Sequence, residues 1–487
     1  MRTIKTPDFP LLEPAGPVPM TRQDQVYRSL RQAIASGRLA RGSQVPSSRE
    51  LSTRWKLSRG TVEQAYERLC IEGYLDRRRG AGTFVAASLP EHFLVPDTPC
   101  RVPCGPGGTP SAPLPSPASL NHCSSLRLGD AFASPLADPL LLDMDKWRRH
   151  LTQATRRIHP ADMHLMDSAG LAALREAIVG YVKTLRGIDC DPDDVVVTTG
   201  IRQSISLVSG MLAPPDNLVH IEDPGYLLTR RLFEARHLRV LPAPVDEEGI
   251  RVSTLDERAA AVYVTPAHQS PLGVTMSASR RAELLGWARK HGALIIEDDY
   301  DSEYSYLKSP PPALKSSDRD DHVLFCSSFN KVLYSALRIG FMIPPRAWRD
   351  DLIHQLRATG AQPGQIEQQA LASMIASGDI YAHIRQSRRV YERRRDIVLQ
   401  ALSRWIDKSH IAGEHCGFHF VIRLPAGMDD AALSRELARA GLYLRPVSDY
   451  AIVPRLSGLL VGFASVPDAE LADAAERLGR ELAARGM

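Results

Sequence analysis

The 487-residue chain has no run of about eighteen apolar residues, so no segment is long enough to cross a membrane as a helix. It also lacks the continuous apolar stretch of a secretory leader. Its first residues carry mixed charge, with prolines at Pro7, Pro10, Pro14 and Pro17. Cysteine is sparse and scattered: Cys70, Cys100, Cys104, Cys123, Cys190, Cys326 and Cys416. An odd, dispersed set excludes a disulfide framework and points to a reducing cytoplasm. Cys100 and Cys104 are the one close pair. They stand among prolines with no second pair, so no metal site is expected there. Internal repeats are absent too.

What the chain does have is unevenly placed. Apolar residues make up 44%, enough for a large core. Residues 1–86 hold 15 Lys and Arg against 8 Asp and Glu, a net charge of +7. The whole chain is +4, so residues 87–487 sum to −3. A small basic region beside a larger, slightly acidic one suggests a polyanionic partner for the small one.

After an extension over 1–20, residues 21–86 read as helices followed by a hairpin. Val26, Leu30, Ala33 and Ile34 recur at helical spacing, and Gly37 stops that helix. SSRELSTRWKL starts a second helix with Ser47 or Ser48 as cap, and Ser58 caps a third whose apolar face is Val62, Ala65, Tyr66, Leu69 and Cys70. The short joint Lys56-Leu57-Ser58 fits a helix-turn-helix. GYLDRRRGAGTFVA then reads as two short strands around a turn with Gly80 and Gly82, a β-wing. A third helix of this kind enters the DNA major groove by its N-terminal end. Here that end is Ser58-Arg59-Gly60-Thr61. Arg59 is placed to read guanine, Thr61 to bind a phosphate, and Arg49 to reach the same groove. The wing offers Arg77, Arg78 and Arg79, with Gly82 permitting close approach to the DNA backbone.

Residues 87–124 form a linker by composition, with nine prolines between Pro90 and Pro117. From 125 to 487, short apolar runs alternate with helical stretches. The strand cores are 195–197, 218–221, 261–264, 294–296 and 323–326, continuous enough for burial on both faces of a mostly parallel sheet. From about 390 a basic helix leads into a smaller α+β region with strands at 418–422 and 459–461.

Four strands are followed by residues of one chemistry. Gly200 ends a strand and opens a helix, Tyr226 follows the next in an Asp-Pro-Gly turn, Asp298 ends another, and Lys331 comes soon after a fourth. In an open α/β sheet such residues meet at the carboxyl ends of the strands. A lysine, an acid, an aromatic ring and a helix N-terminus are what pyridoxal phosphate requires.

Two resemblances sharpen this reading. Residues 21–86 resemble the GntR-type winged helix through IASGRLARGSQVPSSREL, LSRGTVEQAYERLCIEGYL and GAGTFV, with Gly60 where that family often has Asn. The remainder beyond the linker resembles fold-type I pyridoxal phosphate enzymes, and within them the MocR/GabR-type regulators. EDPGY, VTPAHQSPLGVTMS, IIEDDYDSEY and SSFNKVLYSALRIGF carry that similarity. The resemblance implies that Lys331 forms the Schiff base, Asp298 pairs with the pyridine nitrogen and Tyr300 bonds the ring oxygen. It further implies that Tyr226 stacks on the ring, that Ser328 and Arg338 hold the phosphate, and that His268 and Gln269 lie near the ring edge. A homodimeric, cytoplasmic regulator of transcription is implied. It binds double-stranded operator DNA and senses a small amine or amino acid through a cofactor aldimine. The chain departs from the pattern at Leu165, Ile201, Arg202, Asn330 and Val332, and has Leu460 where an aminotransferase commonly has its carboxylate-binding arginine. Efficient transamination of ordinary amino acids is therefore not expected. Arg423, Arg445 and Arg455 stand as unranked substitutes.

Overall fold

The computed structural model describes residues 11, 20–90, 130–133, 136–158, 167–212, 217–453 and 456–487. Most of the Pro-rich linker expected over 87–124 lies outside the described residues, as do Leu165 and Arg455. The chain divides into two compact units, 1–116 and 117–487.

The first unit packs α1 (Arg22–Ala35), α2 (Ser48–Trp55) and α3 (Arg59–Ile71) beside an antiparallel hairpin of β1 (Leu75–Arg78) and β2 (Gly82–Val85). Each helix begins at a polar cap. Thr21 accepts from the Asp24 N–H at 3.2 Å, Ser47 from Glu50 at 3.2 Å and Ser58 from Thr61 at 3.1 Å. Ser47, not Ser48, is thus the second cap, while the Ser48 hydroxyl turns inward to Glu63. Lys56 ends α2 in the left-handed region, φ +53°, and sets the sharp turn into α3. Val26, Leu30, Ile34, Leu51, Val62 and Leu69 form the core, and burying side chains of this size stabilises by about 1.5–3 kcal/mol each. Leu89 joins that core, so the packed unit runs past residue 86.

The second unit contains a larger sheet of β3 (Val196–Thr198), β4 (Leu218–Asp223), β5 (Arg239–Asp246), β6 (Gly249–Ile250), β7 (Ala261–Val264), β8 (Leu294–Asp299), β9 (Val323–Ser328) and β10 (Gly340–Ile343). Their spatial order is β3-β10-β9-β8-β7-β4-β5-β6, with parallel pairing from β9 through β5. β10 runs antiparallel between β3 and β9, which leaves those two pointing the same way. Neighbouring residues go to opposite faces. Val195, Val197 and Phe325 pack with α4 (Met144–Arg157) and α5 (Ala172–Arg186), whereas Val196, Leu324 and Cys326 pack with α6 (Ile201–Met211) and α7 (Leu227–Glu234). α8 (Ala278–His291), α9 (Arg346–Thr359) and α10 (Gln365–Ala376) complete the two layers. Burial on both sides explains why these strands carry unbroken apolar runs.

α11 (Asp379–Leu402) is one helix of 24 residues. Its start packs in the core of the larger sheet through Ile380 and Ile384, and its end packs in the smaller layer through Val398 and Leu402. The change of pattern placed near 390 therefore falls inside a continuous helix. Its basic residues are largely engaged within the chain: Arg394 pairs with Asp138 at 2.9 Å and Asp468 at 3.1 Å. α12 (Asp430–Arg439) and α13 (Asp468–Ala483) cover an antiparallel sheet of β11 (Ile411–Ala412), β12 (His419–Arg423), β13 (Arg445–Pro446) and β14 (Gly458–Gly462), in the order β11-β12-β14-β13.

Candidate functional site

In the first unit, Arg49 near the start of α2 and Arg59 at the start of α3 are both exposed. Ser58 holds the first turn of α3 through the Thr61 N–H, and the two hydroxyls lie 2.8 Å apart. The wing arginines differ from one another. Arg77 is committed to Glu63 at 2.7 Å, and Arg78 lies over the Phe84 ring at 4.5 Å. Arg79, in the turn, is exposed and has no such partner among the described residues. Gly82 has φ +106°, and a Cβ there would sit 2.5 Å from Nε2 of Gln44, which itself donates to the Ala81 carbonyl at 2.9 Å. Packing within the wing thus gives Gly82 an intramolecular reason to be glycine.

In the second unit, parallel strand ends bring the expected residues to one edge of the sheet. Gly200 follows β3, Tyr226 follows β4, Asp298 is the last but one residue of β8, and Lys331 follows β9. The bend at Gly200 has φ +118°, and a Cβ would come 2.8 Å from the Asn330 amide and 3.6 Å from the Ser328 hydroxyl. Gly340 closes the other side, where a Cβ would meet Gly200 Cα at 2.6 Å. The free N–H groups at the start of α6 therefore open beside Ser328, a seat suited to an anion. Asn330 pins the loop that carries Lys331: its Oδ1 accepts from the Ile339 N–H at 3.1 Å. Burial raises the Tyr226 hydroxyl's pKa, and the nearby Arg202 charge opposes that shift. Arg338 is exposed in the left-handed region, φ +56°, and its guanidinium makes no hydrogen bond among the described residues.

Alternation along β8 separates its acids. Glu297 accepts from the Leu314 and Lys315 N–H groups at 2.7 and 2.8 Å, and Asp299 pairs with buried Arg186 at 2.5 Å. Asp298 points the other way. One of its oxygens accepts from the Tyr263 hydroxyl, and the other is buried with no partner among the described residues. Burial pushes the Asp298 carboxyl up to about 7, against the opposing pull of Tyr263 and Lys331. A buried carboxylate oxygen without a donor costs stability unless a donor arrives, and a protonated pyridine nitrogen is such a donor. Lys331 Nζ lies 4.1 Å from the centre of the Tyr300 ring, and burial lowers its ammonium pKa while Asp301 and Asp298 oppose that shift. A lowered pKa favours the neutral amine, which is the nucleophilic form. The residues present fit pyridoxal phosphate.

The sequence reading did not single out Tyr263, Asp301 or His419. Tyr263 stood in an apolar strand and Asp301 three residues past Asp298, with nothing local to mark either. Asp301 accepts from His268 Nδ1 at 3.0 and 3.1 Å, and the ring of His419 lies 4.9 Å from that of His268. Among the substitute arginines, Arg423 is exposed, whereas Arg445 pairs in register with Leu460, one strand over.

The chain matches two families: aminotransferase class I and II over residues 138–478, and bacterial regulatory proteins of the gntR family over 22–85. It is 32% identical over 439 residues to the HTH-type pyridoxine biosynthesis transcriptional regulator PdxR of Corynebacterium glutamicum, covering 89% of each chain. It is 29% identical over 463 residues to the probable rhizopine catabolism regulatory protein MocR of Rhizobium meliloti, covering 94% of this chain and 92% of that one. The fold is that of an archaeal alanine:glyoxylate aminotransferase, with TM-score 0.69 and 24% identity over 75% of this chain and 92% of the other. Pyrococcus horikoshii kynurenine aminotransferase gives TM-score 0.68 and 23% identity over 74% of this chain and 92% of its own. No described helix is long and apolar enough to cross a membrane. With a GntR-type winged helix and a domain of the pyridoxal-phosphate-dependent class I and II aminotransferase family in one chain, the protein belongs to the MocR-type transcriptional regulators.

Proposed function

We propose that this regulator binds pyridoxal phosphate at Lys331 and changes its grip on operator DNA when a small amine or amino acid displaces the lysine. The unpartnered buried oxygen of Asp298, beside Lys331, is the observation that carries this reading. Pyridoxal phosphate supplies an aldehyde carbon for which the lysine and a ligand's amine compete. Asp298 would hold the ring nitrogen, Tyr300 the ring oxygen and Tyr226 the ring face, while Gly200, Ser328 and Arg338 would serve the phosphate. Tyr263 keeps one Asp298 oxygen occupied, so the other stays aimed at its partner. Arg49, Ser58, Arg59, Thr61, Arg79 and Gly82 would form the operator-reading surface of a cytoplasmic homodimer.

A ligand shifts an equilibrium only by binding two states differently, and exchange of Lys331 for a ligand's amine would supply that difference. The test is a fluorescence titration of operator DNA, with and without a panel of primary amines and amino acids, on wild type and Lys331→Ala. At least one compound should shift wild-type affinity and leave the variant unmoved. An equal shift in both proteins would contradict the reading.

A further inference from the structure

Asp301, His268 and Tyr300 form a buried chain next to Lys331, and its hydrogen bonds have a direction. Asp301 is fully enclosed, yet the His268 ring and the Lys331 ammonium keep its carboxyl below the ordinary range despite burial. An ionised carboxylate only accepts, so His268 Nδ1, at 3.0 and 3.1 Å from its two oxygens, carries a hydrogen. The Tyr300 hydroxyl lies 3.1 Å from the same nitrogen. A nitrogen that carries a hydrogen there cannot accept, so in this tautomer Tyr300 can only share the hydrogen that His268 gives to Asp301, and its own proton points elsewhere. His268 is fixed in this role from the far side. A Cβ on Gly417 would come 2.1 Å from Asp301 Oδ2 and 2.6 Å from His268 Nδ1, so only glycine lets this backbone close over the pair.

We propose that Asp301 and His268 are positioning residues that make Tyr300 a hydrogen-bond donor toward the group bound at Lys331. The inference rests on the pyridoxal phosphate reading above and assigns the device that orients one of its contacts. Tyr300 would then donate to the cofactor's ring oxygen rather than turn its proton back to His268. The other titratable groups around the chain are His419, His415, Cys416, Asp298 and Glu222. His419 is driven down to about 3 by burial and by His268, and His415 is lowered for the same reasons, so both stay neutral at physiological pH. Burial raises the Cys416 thiol well above its usual range and keeps it neutral too. In the cofactor-free protein Asp298 and Glu222, each pushed up to about 7, add charge beside Tyr300 only as pH rises through neutrality.

A donor to the ring oxygen stabilises the chromophore form in which that oxygen bears full negative charge. Losing the donor should therefore move the pH-dependent change of the visible band upward. In cofactor-loaded protein, His268→Phe should raise the midpoint by about one pH unit, the size of one ordinary hydrogen bond. His268→Asn, which restores an N–H at that place, should recover most of the shift. Tyr300→Phe should raise the midpoint at least as far, and adding His268→Phe to it should change nothing more, because His268 acts through Tyr300. A midpoint unmoved by His268→Phe, or a further shift in the double variant, would overturn the proposal while leaving the cofactor reading intact. A wild-type protein with no visible band would overturn both. Thermal unfolding of the same variants without cofactor separates these outcomes from simple misfolding.

Discussion

At the scale of single residues, the sequence exposes those whose chemistry is announced by position. Lys331, Asp298 and Gly200 follow apolar strands, where solvated alternatives are recognisable by context. Tyr263, Asp301 and His419 were not legible, because each matters through a neighbour dozens or more residues away. The same holds for the arginines of the wing. Composition shows three in a row, and only the fold shows that Arg77 is spent on Glu63. Arg59→Ala should therefore weaken specific operator binding by about 1–3 kcal/mol if it contacts base edges. Arg77→Ala should act mainly on stability of the winged helix. A footprinting titration in which the two variants lose equal specificity would contradict that distinction. Asp298 makes a second prediction with a defined sign. Its folded-state pKa of about 7 lies above its ordinary 3.8, so its contribution is most favourable below pH 4 and is lost as pH rises to 7. In cofactor-free protein, Asp298→Asn should gain roughly 2–4 kcal/mol relative to wild type between pH 4 and pH 7, and no more above it. A pH-independent difference in denaturant unfolding would refute the shift.

Helices and strands were legible where burial and caps act locally. Ser58 was identified as a cap from sequence and is one in the structure. Ser58→Ala should cost the winged helix about 1 kcal/mol in thermal unfolding, and an unchanged midpoint would count against the cap. β10 is absent from the strands read in the sequence, and its direction would not have been legible either, since a parallel and an antiparallel strand buried on both faces present the same apolar run. The course of α11 was missed for a related reason. A helix that passes from one core to another keeps its helical period while its partners change. Gly340 shows what such packing requires. Its hypothetical Cβ meets Gly200 and Ser327 backbone at 2.6 and 2.9 Å, atoms that cannot move aside cheaply. Gly340→Ala should destabilise the second unit by about 1–3 kcal/mol and weaken cofactor retention. Wild-type unfolding and wild-type retention would show that this contact is not needed.

At the scale of the molecule, charge asymmetry and the change of pattern beyond the linker marked two units before any fold was known. A basic reader and a ligand-binding domain answer to different physics. Operator binding by the reader should weaken as salt rises, and Arg79→Ala should lower the salt slope by about one if Arg79 meets a phosphate. The large domain should instead respond to amines. In the proposed function the link between them begins at Lys331, and one measurement reaches it most directly. The protein is loaded with pyridoxal phosphate, reduced with borohydride and digested, and the labelled peptide is identified. The account predicts loss of the visible band on reduction and a single label on Lys331, absent from Lys331→Ala. A colourless protein, or a label that persists in that variant, would contradict it.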